Sequence, residues 1–132
     1  MRPTIAVQSR LMSFRLAYLF AEPQRFDVVV FRFPDNESVL YVKRILGLPG
    51  EQVDIVDGVL YIDGIHIHEW YLLETPNAEN YTFIVPEDSF FVLGDNRNDS
   101  HDSRTWINTF LPRENILGRT IFAYFPSFRM IR

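Results

Sequence analysis

Hydrophobic and polar positions along this chain fall into short runs that end on turn-forming residues. Residues 26–33 (FDVVVFRF) are dense in β-branched and aromatic side chains and stop at Pro34-Asp35-Asn36. Residues 39–46 make a second such run, closed by Gly47-Leu48-Pro49-Gly50. Between 52 and 62, two alternating runs meet at Asp57-Gly58, a favoured pair for a tight hairpin turn, and a second Asp-Gly pair follows at 63–64. Further strands are predicted at 81–85 and 90–93, with 120–125 as the closing strand. Helical signals are weak: 13–20 is long enough for one or two turns but has no convincing cap, and 112–116 suits a short turn. The pattern predicts a mainly β fold, antiparallel and partly barrel-like. Without an internal repeat, linker or low-complexity stretch, it predicts a single domain over 1–132.

Composition narrows the function classes. A chain of 132 residues suits one hydrophobic core, and 47% hydrophobic with 23% charged residues is the profile of a folded domain. The net charge is −4 with Lys and Arg scattered, so no phosphate-binding surface and no nucleic-acid partner is expected. With no cysteine, disulfides, thiolate metal sites and a cysteine nucleophile are excluded, while the compartment stays open. No apolar run reaches the length of a membrane span, and the N-terminus carries no signal-peptide pattern. The twelve phenylalanines suit either a Phe-rich core or a ring-lined patch facing lipid headgroups.

Two segments are too polar and too turn-rich for their surroundings. The first is YVKRILGLPGE at 41–51. A lysine in a β run points to solvent by default, yet only one of the neighbours Lys43 and Arg44 can face out of a two-faced strand. Turned inward, the amine would be desolvated and partly neutral, able to take a proton from a serine hydroxyl. The second segment is GDNRNDSHDSR at 94–104, directly after the strand predicted at 90–93. Such a loop serves as a solvated turn or as a hydrogen-bonded platform, with charges paired internally and a hydroxyl left to orient a neighbouring amine.

Together these segments resemble the lysine-bearing box and the C-terminal box of bacterial type I signal peptidases, serine proteases with a Ser/Lys dyad. The opening Met1-Arg2-Pro3-Thr4-Ile5 is similar to the stretch just after that family's nucleophile, Ser-Met-x-Pro-Thr-Leu. Pro23 and Asp27, the hairpin VDGVLYIDG and the closing ILGRTIFAYFP also fit, in order, over nearly the whole chain. The fold implied is that of the signal-peptidase and LexA-like Ser-Lys proteases. The resemblance implies Lys43 as general base and Ser100 as the hydroxyl that holds its amine. Asp102 and Arg104 would form a supporting ion pair, and Asp95 would balance Arg44 or a neighbour. Met1, Ile5, Tyr41 and Val42 would line shallow pockets for small substrate side chains, with the strand through 41–43 pairing with an extended substrate. The partners implied are signal-peptide-bearing preproteins and the lipid surface of the cytoplasmic membrane, with the catalytic domain on its outer face. No cofactor and no metal is implied.

The resemblance also implies that the nucleophilic serine and a membrane anchor precede Met1, so this stretch by itself is expected to be inactive. Gln8-Ser9 stands where the family often has Gly-Asp, and Phe26 where it has Gly, which points to a different turn or an added aromatic surface. His66 and His68 alternate in GIHIHEW but have no clear third ligand, and His101 sits at a position that varies in the family and reads as a surface residue. Ser9, Ser13, Ser38 and Ser127 lack the partners of a substitute nucleophile. Two other functions fit the same boxes. A self-cleaving repressor domain of the LexA type would need an internal Ala-Gly or Cys-Gly bond, which this sequence lacks. A non-catalytic assembly factor, as in pilus biogenesis, would have less reason to keep Lys43 and Ser100.

Overall fold

A computed structural model describes Met1 and residues 10–14, 21–125 and 129–131. The strands are β1 (Arg10–Phe14), β2 (Val28–Phe33), β3 (Asn36–Gly47), β4 (Gln52–Val56), β5 (Val59–Ile62), β6 (Ile65–His66), β7 (Tyr81–Ile84), β8 (Ser89–Leu93), β9 (Leu111–Pro112), β10 (Ile116–Phe125) and β11 (Arg129–Met130). Seven of them form one sheet in the order β1-β10-β2-β3-β8-β9, with β11 also on β10; the other four form a smaller sheet, β6-β5-β4-β7. Every pairing is antiparallel, as the pattern predicts, and the sheets are not closed into a barrel.

The small sheet follows from its turns. Asp57 and Gly58 have φ of 50° and 80°, and Asp63 and Gly64 have 49° and 80°. Two successive positive φ values give the turn whose twist matches a hairpin, so β4-β5 and β5-β6 close on two residues each. Along β4 and β5, Val53, Ile55, Leu60 and Ile62 point inward while Val56 and Val59 stay exposed.

The centre of the large sheet is buried on both faces. Ile45 of β3 and Phe90 and Val92 of β8 pack with Val29, Phe31, Phe33, Trp106 and Leu111. Their neighbours Leu46, Phe91 and Leu93 point the other way, into a core with Val53, Ile55, Leu60, Ile62, Tyr71 and Val85. The last four residues of β3 and the last four of β8 are therefore each buried in a row. The first half of β3 is exposed. Strand β8 pairs with β3 at Arg44, Ile45 and Gly47, so among the described residues the earlier part of β3 has a strand partner on the β2 side alone.

Two differences from the sequence pattern have local causes. Ser13 and Phe14, within the weak helical stretch at 13–20, belong to β1; the rest of that stretch lies outside the described residues. Register shifts between Arg10 and Leu11 and between Met12 and Ser13 break the period of two that would have marked the strand. The last long strand begins at Ile116 rather than 120, directly after a single 3-10 turn at Arg113–Asn115 that falls within the predicted turn at 112–116.

Candidate active site

Lys43 sits where the exposed half of β3 enters the buried half. It pairs across the ladder with Val29 of β2, and its neighbour Arg44 pairs with Val28 and with Leu93 of β8. Neither side chain is left fully in water: Arg44 is 0% exposed and Lys43 is half-buried. The sequence allowed one of the two to face out, which holds for a sheet with one wet face; here both faces are covered.

The loop 94–104 closes over that position. Arg97–Asp99 form one 3-10 turn, and Ser103 folds the loop back along β8: its N–H donates to the Val92 carbonyl (3.1 Å) and its Oγ accepts from the Val92 N–H (3.0 Å). This return brings Ser100 to β3, with Lys43 Nζ 3.0 Å from Ser100 Oγ although 57 residues separate them. Gly94 makes the approach possible. A Cβ there would lie 2.0 Å from Ser100 Oγ and 3.4 Å from Lys43 Nζ, so any side chain would displace the hydroxyl.

Charges around the amine are paired. The Arg44 Nε and Nη2 donate to the two oxygens of Asp95 at 2.9 and 2.7 Å, with both side chains out of solvent. Asp102, fully buried, accepts from Arg104 Nε (2.9 Å), Arg104 Nη2 (3.0 Å) and the Gly94 N–H (3.1 Å). Desolvation pulls the Lys43 amine below the ordinary lysine range. Asp102, Asp95 and Asp99 act against this, while Arg104 adds to it. An amine so placed can be neutral at a pH where a free lysine is charged, and can accept a proton from a hydroxyl brought to it.

Of the other residues singled out in the sequence, Met1 and Val42 are partly buried, each packed against Val28 and Ile131, and the Met1 Sδ accepts from the Asp95 N–H at 3.4 Å. Tyr41 stacks on Phe33 (ring centroids 4.4 Å apart, 8° between planes) with Trp106 and His101 at its edges. Ile5, Gln8, Ser9 and Ser127 lie outside the described residues. Phe26 has φ of 75°, the backbone glycine would take most easily, and its ring meets Trp70 and Tyr71 edge-on. Strand β6 ends at His66, so the alternation that would aim His66 and His68 to one side does not extend to His68. His101 is exposed, with its Nδ1 3.0 Å from Thr105 Oγ1.

Sequence reasoning missed Gly94 as a packing requirement, and missed Glu69, Tyr71 and Arg97, which pack beside the site. It also passed over one legible signal. Of the 13 Lys and Arg residues in the chain, Lys43 is the sole lysine. Arginine supplies every other positive side chain, and arginine cannot give up its proton at working pH.

The signal peptidase model of the peptidase S26 family matches residues 1–125. The chain belongs to this family. Among signal peptidases, it is 38% identical to the probable signal peptidase I-1 of Synechocystis sp., over 98% of this chain and 68% of that protein. A second Synechocystis protein, probable signal peptidase I-2, is also 38% identical, and the chain spans 59% of its length. The thylakoidal processing peptidase 1 of Arabidopsis thaliana is 36% identical over 96% of this chain and 39% of its own. A crystal structure of a signal peptidase I from Enterococcus faecalis V583 superimposes with a TM-score of 0.66 at 36% identity, covering 75% of this chain and 97% of that one. Among the described residues, no helix is long and apolar enough to cross a membrane.

Proposed function

We propose that this chain is the catalytic domain of a membrane-associated serine endopeptidase that removes signal peptides from exported preproteins, with Lys43 as general base. The observation that carries this reading is the 3.0 Å contact between a desolvated lysine amine and Ser100. On this reading the nucleophilic serine stands immediately before Met1 in the parent protein. Met1 packs against Val28 and Ile131 and its Sδ reaches the Asp95 N–H, next to the Arg44 ion pair, which supports an approach of the preceding residue to Lys43.

In the proposed reaction the serine hydroxyl attacks the scissile carbonyl as Lys43 accepts its proton. The ammonium then protonates the leaving amine, and Lys43 serves again as base when water hydrolyses the acyl-enzyme. Ser100 holds the amine on line, with Asp102–Arg104 and Arg44–Asp95 keeping the surrounding charge paired. The preprotein adds a strand at the exposed edge of β3, and Met1, Ile5, Tyr41 and Val42 admit small side chains at the first and third positions before the cut. The domain works at the outer face of the cytoplasmic membrane, tethered by a segment upstream of Met1.

The test compares this chain with the parent protein carrying the upstream serine, on a preprotein substrate in detergent. The parent is expected to cleave and this chain is not. Because the amine must be neutral to act, kcat/KM should rise with pH through a midpoint below that of a free lysine. Comparable cleavage by this chain alone would overturn the assignment of the nucleophile.

A further inference from the structure

Residues 69–71 lie in the connection between β6 and β7, outside both polar boxes and outside either sheet ladder. Trp70 is half exposed, yet its two neighbours turn inward: Tyr71 is 6% exposed, and the side chain of Glu69 is 7% exposed. The two inward side chains contact different halves of the site.

On one side, the Tyr71 ring lies against the guanidinium of Arg44, with 4.1 Å from its centroid to Cζ. Arg44 follows Lys43 in β3, so the ring braces the strand that carries the amine. On the other side, Glu69 accepts from Arg97 Nη2 at 2.6 Å and Nη1 at 3.4 Å. Arg97 begins the 3-10 turn that leads into Ser100, and both its ends are fixed. Its Nε donates to the Gly94 carbonyl (3.3 Å), and its own carbonyl accepts from Arg104 Nη2 (2.8 Å). The Tyr71 hydroxyl donates to Glu69 at 2.6 Å and joins the two halves. The path from the Lys43 strand to the Ser100 loop is then Arg44, Tyr71, Glu69, Arg97, all withdrawn from solvent.

We propose that Glu69 and Tyr71 are positioning residues that hold the lysine strand and the Ser100 loop in register, acting through Arg44 and Arg97. This rests on the reading of Lys43 and Ser100 as base and orienting hydroxyl, and it adds residues that touch neither reacting atom. A cation–aromatic contact and a two-point carboxylate–guanidinium pair both depend on direction. Loss of either would let the loop drift from β3 and admit water to the amine.

The sole lysine makes a direct test available. The chain grown on isotope-labelled lysine gives one side-chain amine signal, and its titration reports Lys43 alone. In Glu69→Gln and Tyr71→Phe, both expected to unfold cooperatively, the midpoint should move up toward that of a free lysine by about half a pH unit or more. In the parent enzyme, kcat should fall by about tenfold with KM unchanged. Adding Glu69→Gln to Arg97→Lys should cost less than the product of the single effects. Should Glu69→Gln fail to fold, Tyr71→Phe decides, since it keeps the ring on Arg44 and removes only the link to Glu69. Folded variants with an unchanged Lys43 midpoint and unchanged kcat would overturn the positioning role. A wild-type amine titrating as a free lysine would instead remove the base assignment, and this role with it.

Discussion

The small sheet and the centre of the large one are made of the same kinds of residue but bury them differently. Along β4 and β5 one side chain in two faces solvent, and the polar positions fall on that wet face. Along the end of β3 and through β8 successive residues are dry on alternate faces, because one core lies above and another below. A strand of the first kind can carry a charge only where water already solvates it. A strand of the second kind can carry a charge in a dry place, provided that partners are built around it. Arg44 with Asp95 lies inside that dry stretch and Lys43 with Ser100 at its edge, one cation paired with a carboxylate and the other hydrogen-bonded to a neutral hydroxyl.

The largest expected effect tests the chemical side of this contrast. Lys43→Arg keeps a cation on the strand but cannot deprotonate, so kcat/KM of the parent enzyme should fall by about 10³-fold or more. Near-normal activity would make Lys43 a fixed charge, and the dry strand would then differ from the wet one in stability alone. The next effect is geometric. Gly94→Ala puts a methyl group in the space of the Ser100 hydroxyl, and should lower kcat/KM by about 10²-fold while raising the midpoint of the Lys43 titration. Wild-type activity in that variant would show that the hydroxyl is not needed where it lies. The smallest effect belongs to the other sheet. Gly64 has φ of 80° and nothing within 4 Å of where a Cβ would stand, so Gly64→Ala adds backbone strain alone. It should cost about 1 kcal/mol, seen as a lower Tm, with kcat/KM and the Lys43 titration unchanged. A change in either readout would mean that the small sheet is coupled to the site, and the contrast would lose its sharpness.

The same contrast explains what the sequence made legible. The hairpins were readable because Asp57-Gly58 and Asp63-Gly64 set the turns and alternation set the faces. The strands at 39–46 and 90–93 were readable as apolar runs, but periodicity could not say that both of their faces are covered, so the environment of Lys43 stayed open. Family resemblance brought Lys43 and Ser100 forward as a pair, and folding brings them within 3.0 Å. Strand β1 was hidden by its bulges, and the β10 start at Ile116 by the lack of a turn signal between it and the preceding 3-10 turn. Glu69 and Tyr71 were invisible for a different reason. Glu69 meets Arg97 from 28 positions away along the chain, and nothing local in HEWYLLE distinguishes a buried carboxylate from a solvated one.

The edge at the start of β3, with no second strand beside it among the described residues, has one further consequence under the proposed function. A ladder accepts only a guest whose backbone N–H and C=O groups are free and spaced at about 3.3 Å per residue. A helix has already committed those groups to itself, and a segment inside a folded domain has committed them to its neighbours. The first filter on what is cut would therefore be shape rather than sequence. Nascent, unstructured stretches just beyond a helical segment could enter, and mature proteins passing the same surface would be ignored even where they carry suitable side chains.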